Sequence, residues 1–92
     1  TITFRTPEEA IAIANSSTYG LSGAIWTQNL SKAHTLARAL RCGSVAVNAY
    51  SDDAHDITVP FGGYKQSGFG RDKSLHALDK YTQLKTTWVK LK

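Results

Sequence analysis

Two helix starts with their capping chemistry spelled out, each set between short apolar runs, constrain this 92-residue chain more than any other feature. Thr6-Pro7-Glu8-Glu9 offers a capping hydroxyl, a proline at the first helical position, where its missing N–H costs nothing, and a glutamate to complete a capping box. The helix it opens runs through Ala10-Ile11-Ala12-Ile13-Ala14, apolar nearly all round, which predicts burial under a sheet. Asn15-Ser16-Ser17-Thr18-Tyr19-Gly20 breaks it. Asn29 caps a second helix whose Leu30, Ala33, Leu36, Ala37 and Leu40 form the i, i+3, i+4, i+7 stripe of an amphipathic helix. Arg38 and Arg41 suit the negative end of its dipole, and Gly43 ends it.

Three candidate strands alternate with these helices. In residues 2–5, Ile2 and Phe4 alternate with polar neighbours. Leu21–Thr27 is rich in small residues that let backbones approach, and Ser44–Asn48 is short and apolar, like a strand covered on both faces. The expected fold class is therefore α/β, part of a parallel sheet in strand-helix-strand-helix-strand order with right-handed crossovers. Three such strands leave two edges unpaired and one face poorly covered, which predicts a portion of a larger sheet. The length admits one domain or a piece of one, and a sequence without a single Met points to a chain cut from something longer.

The second half changes character. Ser51–Val59 reads as a polar loop holding Asp52, Asp53, His55 and Asp56, three of the chain's seven acids within five residues. Bordering a cleft, such a loop favours a cationic or amine-bearing ligand. His55 among these acids reads either as an acid–base cluster or as part of an exposed acidic loop. Pro60-Phe61-Gly62-Gly63-Tyr64-Lys65-Gln66-Ser67-Gly68-Phe69-Gly70-Arg71 then puts four glycines into twelve residues. A short helix is expected over Asp72–Asp79. The tail Tyr81–Leu91, with its threonines, Trp88, Val89 and Leu91, is expected as a strand that pairs with an upstream segment or another subunit.

Several function classes fall away. Gly63-Tyr64-Lys65-Gln66-Ser67-Gly68 is not followed by Lys-Ser/Thr, so it is no phosphate loop, and Gly68-Phe69-Gly70 is followed by Arg71-Asp72-Lys73 without the third glycine of a dinucleotide fingerprint. The glycines instead read as places where backbone turns sharply or passes close to a neighbour. Cys42, the only cysteine, falls at a helix C-terminus, where the dipole disfavours a thiolate. Its solitude excludes an internal disulfide, fits a reducing, cytoplasmic compartment, and leaves His34, His55 and His76 without a partner at metal-ligand spacing. A formal charge of +4 is spread without any block of five like charges, and the aromatics are not interleaved with basic residues, so no nucleic-acid partner is expected. No apolar run approaches the ~18 residues of a membrane helix, and Thr1-Ile2-Thr3-Phe4-Arg5 is no signal peptide.

Asn48-Ala49-Tyr50 followed by the Pro60–Arg71 segment resembles the C-terminal motif of the aldehyde dehydrogenase superfamily. Thr6-Pro7-Glu8-Glu9-Ala10, Ala14-Asn15, Tyr19-Gly20-Leu21, Trp26-Thr27 and Tyr81-Thr82-Gln83-Leu84-Lys85-Thr86 are similar to the same family in the same order. Asp72-Lys73-Ser74-Leu75-His76-Ala77-Leu78 and Leu84-Lys85-Thr86-Thr87-Trp88 look most like the γ-glutamyl-γ-aminobutyraldehyde dehydrogenases of putrescine breakdown.

The resemblance implies a longer parent that oxidises an aldehyde through a thiohemiacetal and a thioester, passing hydride to NAD or NADP. The nucleophilic cysteine, the general-base glutamate and the cofactor site would all lie upstream of Thr1, so no catalytic, cofactor-binding or metal residue is expected here and the chain alone should be inactive. Residues 1–80 would end the catalytic domain, and residues 81–92 would be the oligomerisation strand through which a homo-oligomer assembles. Gln83 stands where many members carry Glu. Phe61 and the loop holding Asp52, Asp53 and His55 would line the path of a small aldehyde, an amino-aldehyde if the acids face it. The alternative is a free-standing interaction module that binds an anionic ligand through its basic Gly-rich segment or a partner through its last strand.

Overall fold

The computed structural model describes residues 1–50 and 57–91. Helix α1 spans Pro7–Ala14, and Thr6 caps it in extended conformation, its hydroxyl accepting from the Glu9 N–H at 3.1 Å. The Glu9 carboxylate accepts from the Arg5 N–H at 3.1 Å, one residue before the position a standard box would use. Helix α2 spans Leu30–Ala39, with the Asn29 side chain accepting from Lys32 N–H at 3.0 Å. Its Ala33 is buried, on the stripe the sequence marks out.

Strand β1 is Tyr19–Gly20, β2 is Ser22–Ile25, β3 is Ser44–Val47 and β4 is Tyr64–Lys65. β2 and β3 pair in parallel, Ser22 beside Ser44 through Ile25 beside Val47, joined by α2. β1 and β4 pair antiparallel, Tyr19 beside Lys65 and Gly20 beside Tyr64. Gly43 N–H donates to the Gly20 carbonyl at 3.0 Å, which carries the β3 side of the ladder back to the antiparallel pair.

Four expectations are corrected. Residues 2–5 form no strand, and Ile2 and Phe4 stand exposed. The tail 81–91 also forms no strand within the chain; all of it is exposed. Both segments have strand composition, but a strand exists only where a neighbour supplies a ladder, and none does here. The parallel sheet therefore has two strands rather than three. The third correction concerns Asp72–Asp79: the helical turn is 3₁₀ and covers Leu75–Lys80, because Asp72 is committed to a bridge with Phe61. Helix α1 is less covered than its sequence implies, with Ile11 and Ile13 half-buried and Ala12 and Ala14 exposed.

The hydrophobic core is correspondingly slight: Ala33 and Ala46 are the two buried apolar side chains among the described residues. Trp88, Leu91, Leu84 and Phe69 are almost fully in solvent. The molecule measures 70 × 25 × 22 Å.

Candidate functional site

The Pro60–Arg71 segment folds back on the sheet through backbone rather than side-chain bulk. A Cβ on Gly43 would coincide with the Gly62 carbonyl, so the start of β3 and this segment meet where only glycine fits. Gly20 N–H donates to Ser67 Oγ at 2.8 Å and Gln66 N–H to the Thr18 carbonyl at 2.9 Å. Ser67 N–H closes a turn on the Tyr64 carbonyl at 3.0 Å, with Lys65 at φ 53° inside it.

Phe61 is pinned at the head of this segment. Its N–H donates to the Asp72 carbonyl at 2.9 Å, and Asp72 N–H donates back at 2.6 Å. The Lys73 ammonium lies 5.4 Å from the centre of the Phe61 ring. Arg71 donates to the Gly63 and Gly70 carbonyls at 3.1 and 2.6 Å and places its guanidinium 5.5 Å from the Tyr64 ring. A cleft of about 170 Å³ opens between Leu21, Phe61, Phe69, Arg71, Asp72 and Lys80. At its edge the Lys80 ammonium bonds the Asp72 carboxylate, which holds that carboxyl below its ordinary range and raises the lysine above its own.

Two asparagines do structural work. Asn48, at φ 56°, donates through Nδ2 to the Thr27 carbonyl and accepts from Thr27 N–H through Oδ1, both at 2.9 Å. This side chain imitates one more rung of the β2–β3 ladder and ends β3 there. Beyond it the Tyr50 ring meets Trp26 edge-on at 5.2 Å. Asn15 donates to the Ala39 carbonyl and accepts from Arg41 N–H, both at 2.9 Å, tying the end of α1 to the end of α2. Lys65 then donates to the Asn15 and Ser17 carbonyls at 3.0 Å each.

Of the four residues named from sequence for substrate binding, Phe61 is half-buried at the cleft; Asp52, Asp53 and His55 lie outside the described residues. Asn15, Asn48, Lys65 and Lys73 stand in the stretches that carry the family resemblance, but the sequence assigns them no role. The nearest signal was an asparagine directly after a strand or helix, where its short amide can bond local backbone. Cys42 lines a separate hollow of about 300 Å³ with Asn15, Tyr19, Leu40 and Arg41. Burial pushes its thiol up, and the Lys65 ammonium offsets only part of that. A protonated, half-buried thiol is a poor nucleophile, as its place after a helix implies.

No group of three potential metal ligands exists among the described residues, and no helix there is long and apolar enough to cross a membrane. The residues present do not fit a nicotinamide dinucleotide either. Its phosphates need glycine backbone opening onto a helix N-terminus, whereas among the described residues no glycine directly precedes α1 or α2, and Gly43, Gly62 and Gly63 are each closed against this chain's own atoms.

Residues 1–87 match the profile of the aldehyde dehydrogenase family. The chain is 60% identical over 88 residues to the NADP/NAD-dependent aldehyde dehydrogenase PuuC of Escherichia coli K12, covering 96% of itself and 17% of that protein. It superposes on a P. syringae indole-3-acetaldehyde dehydrogenase solved with NAD+ and IAA, with a TM-score of 0.90, 69% identity and coverage of 98% of this chain and 18% of that one. The γ-glutamyl-γ-aminobutyraldehyde dehydrogenase of Burkholderia cenocepacia J2315 gives a TM-score of 0.89 at 56% identity, over 97% of this chain and 18% of that one. The chain thus spans less than a fifth of the length of these relatives. With its motifs in order, its fold superposed and nearly its whole length matched, it belongs to the aldehyde dehydrogenase family.

Proposed function

We propose that this chain is the C-terminal part of an NAD(P)-dependent aldehyde dehydrogenase, supplying a wall of the aldehyde path and a subunit-joining strand. Residues 1–80 complete the catalytic domain and residues 81–92 form the oligomerisation strand. The observation that carries this reading is the way Phe61 is held. Paired backbone bonds to Asp72 fix it at the mouth of a Gly-closed segment, beside a cleft, as an aromatic that excludes water and orients a carbonyl must be fixed. The reaction converts an aldehyde to a carboxylic acid. Its nucleophile, its base and its nicotinamide site lie outside this chain, so the role of these residues is to bind and orient.

Two solved or curated relatives bear on the substrate: the Burkholderia protein is named for γ-glutamyl-γ-aminobutyraldehyde, and a Pseudomonas aeruginosa relative for aminoacetaldehyde. An amino-aldehyde suits the acids that the sequence places at positions 52, 53 and 56. A cytoplasmic setting belongs to the same proposal, on the strength of the lone unpaired cysteine.

The test compares NADH production from amino- and neutral aldehydes by the restored full-length enzyme and by the 92-residue chain. Activity in the former alone is expected, and activity in neither overturns the reading. Changing Asp52, Asp53 and Asp56 together to Asn should raise KM several-fold for cationic aldehydes only, since removing up to three nearby charges weakens attraction across a screened distance. An equal rise for neutral aldehydes removes the charge argument.

A further inference from the structure

The Phe61 ring carries a charge on its face. Lys73 is half-buried, and its ammonium sits 5.4 Å from the ring centre. Backbone geometry holds it there. Asp72, its neighbour in sequence, is bonded to Phe61 in both directions. Lys73 itself has φ 59° and Ser74 has φ 50°, and Ser74 N–H donates to the Ile57 carbonyl at 2.6 Å. Two successive non-glycine residues at positive φ are disfavoured and persist only where surrounding contacts determine them. Among the described residues the one ion pair is Lys80–Asp72, so the nearest acid in sequence gives its carboxylate to another lysine. Among the described residues no hydrogen bond or ion pair joins Lys73 to a carboxylate, although Asp72 feels its charge, so Lys73 brings that charge to the aromatic face.

A cation on a ring is stabilised by the ring's quadrupole, and it also changes what the ring accepts as a neighbour. A substrate tail lying along Phe61 passes within Coulomb range of the Lys73 ammonium, in a place from which water is partly excluded. An ammonium on that tail is repelled, a carboxylate is drawn in and can accept from the lysine, and an alkyl tail is indifferent.

Resting on the reading that Phe61 lines the aldehyde path, we propose that Lys73 is a specificity-determining residue, favouring aldehydes that carry a carboxylate remote from the carbonyl over those that carry an ammonium alone. This preference is separate from the one assigned to the acids at 52, 53 and 56, and different variants read the two.

The experiment uses the restored full-length enzyme and three aldehydes of similar length: succinic semialdehyde, butanal and aminopropanal. Lys73→Met keeps a side chain of similar length and removes the charge; Lys73→Arg keeps the charge. The Met variant should lose roughly ten-fold in kcat/KM for succinic semialdehyde, stay within about two-fold for butanal and gain several-fold for aminopropanal. The Arg variant should stay close to the wild type on all three. If the Met variant shifts all three aldehydes alike, or none, Lys73 is only a packing residue and the inference is overturned.

A measurement on the wild type keeps the question decidable should the Met variant fail to fold. The ratio of kcat/KM for succinic semialdehyde to that for butanal should fall as salt is raised, and a salt-independent ratio overturns the inference. A failure of the underlying reading looks different. The wild type would oxidise none of the three, or Phe61→Ala would leave every aldehyde KM unchanged, and the Lys73 inference would fall with it.

Discussion

At the scale of single residues, the structure relies on side chains that imitate backbone. Asn48 makes two hydrogen bonds to Thr27 from a left-handed backbone, so its replacements separate the two contributions. Asn48→Gly keeps the backbone conformation and loses the bonds, an expected cost of about 1–2 kcal/mol. Asn48→Ala loses both, and should cost roughly 1–2 kcal/mol more than Gly. Urea unfolding of the full-length enzyme measures the difference; equal midpoints for Gly and Ala would show that the left-handed backbone is of no consequence there.

The Asp72–Lys80 pair gives a pH dependence at the same scale. Asp72 titrates below its unbonded value of 3.8, so its contribution to stability is present above that pH and lost as pH falls through the folded value. Lys80 titrates above 10.5, so its contribution is present below that pH and lost as pH rises through the folded value. Both groups are exposed, so salt screens the effect and it is small. The gap in unfolding midpoint between wild type and Asp72→Asn should therefore be confined to the window between these limits. A gap unchanged by acid would dissociate it from the ion pair.

At the scale of elements, what was legible in the sequence was what is local. Thr6 and Asn29 cap where their hydroxyl and amide predict, α1 and α2 follow, and β3 falls inside the Ser44–Asn48 run. Residues 2–5 and 81–91 have strand composition without strand structure, because pairing is a property of two segments and the sequence shows one at a time. The candidate site divides the same way. Phe61 and its glycines are spelled out, while Lys65 and Lys73 are not, since a left-handed lysine is fixed by distant contacts rather than by its own preference. Lys65 shows how far such a contact reaches: its ammonium takes two carbonyls just beyond α1, fifty and forty-eight residues away in sequence. Lys65→Met should free the end of α1 at a cost of about 1–2 kcal/mol, since bonds from a charged donor are worth more than neutral ones but these are exposed. Amide exchange in α1 reads it: faster exchange there with the β2–β3 pair unchanged is expected, and unchanged exchange in α1 would remove Lys65 as its anchor.

At the scale of the whole molecule, the described chain exposes 8023 Å², against about 5,200 Å² expected of a compact monomer of this mass. The surplus, on the order of 3,000 Å², is surface that the rest of a longer chain or a partner subunit would cover. It includes exposed apolar side chains along the chain, Leu84, Trp88, Val89 and Leu91 of the tail among them. The isolated 92-residue chain should therefore self-associate, and removing residues 81–92 from the full-length enzyme should lower its oligomeric state in sedimentation velocity. A truncated enzyme with unchanged assembly would relieve that strand of its proposed role.

The contact between Gly43 and Gly62 has one more consequence, for anyone exchanging parts between members of this family. The strand start and the aromatic segment touch main chain to main chain, with no side chain between them to absorb a mismatch. Residues 60–72 are thus not a cassette. A graft that moves them into another scaffold must bring the residue facing Gly62 along with them, or the donor loop will meet a methyl group where it needs empty space.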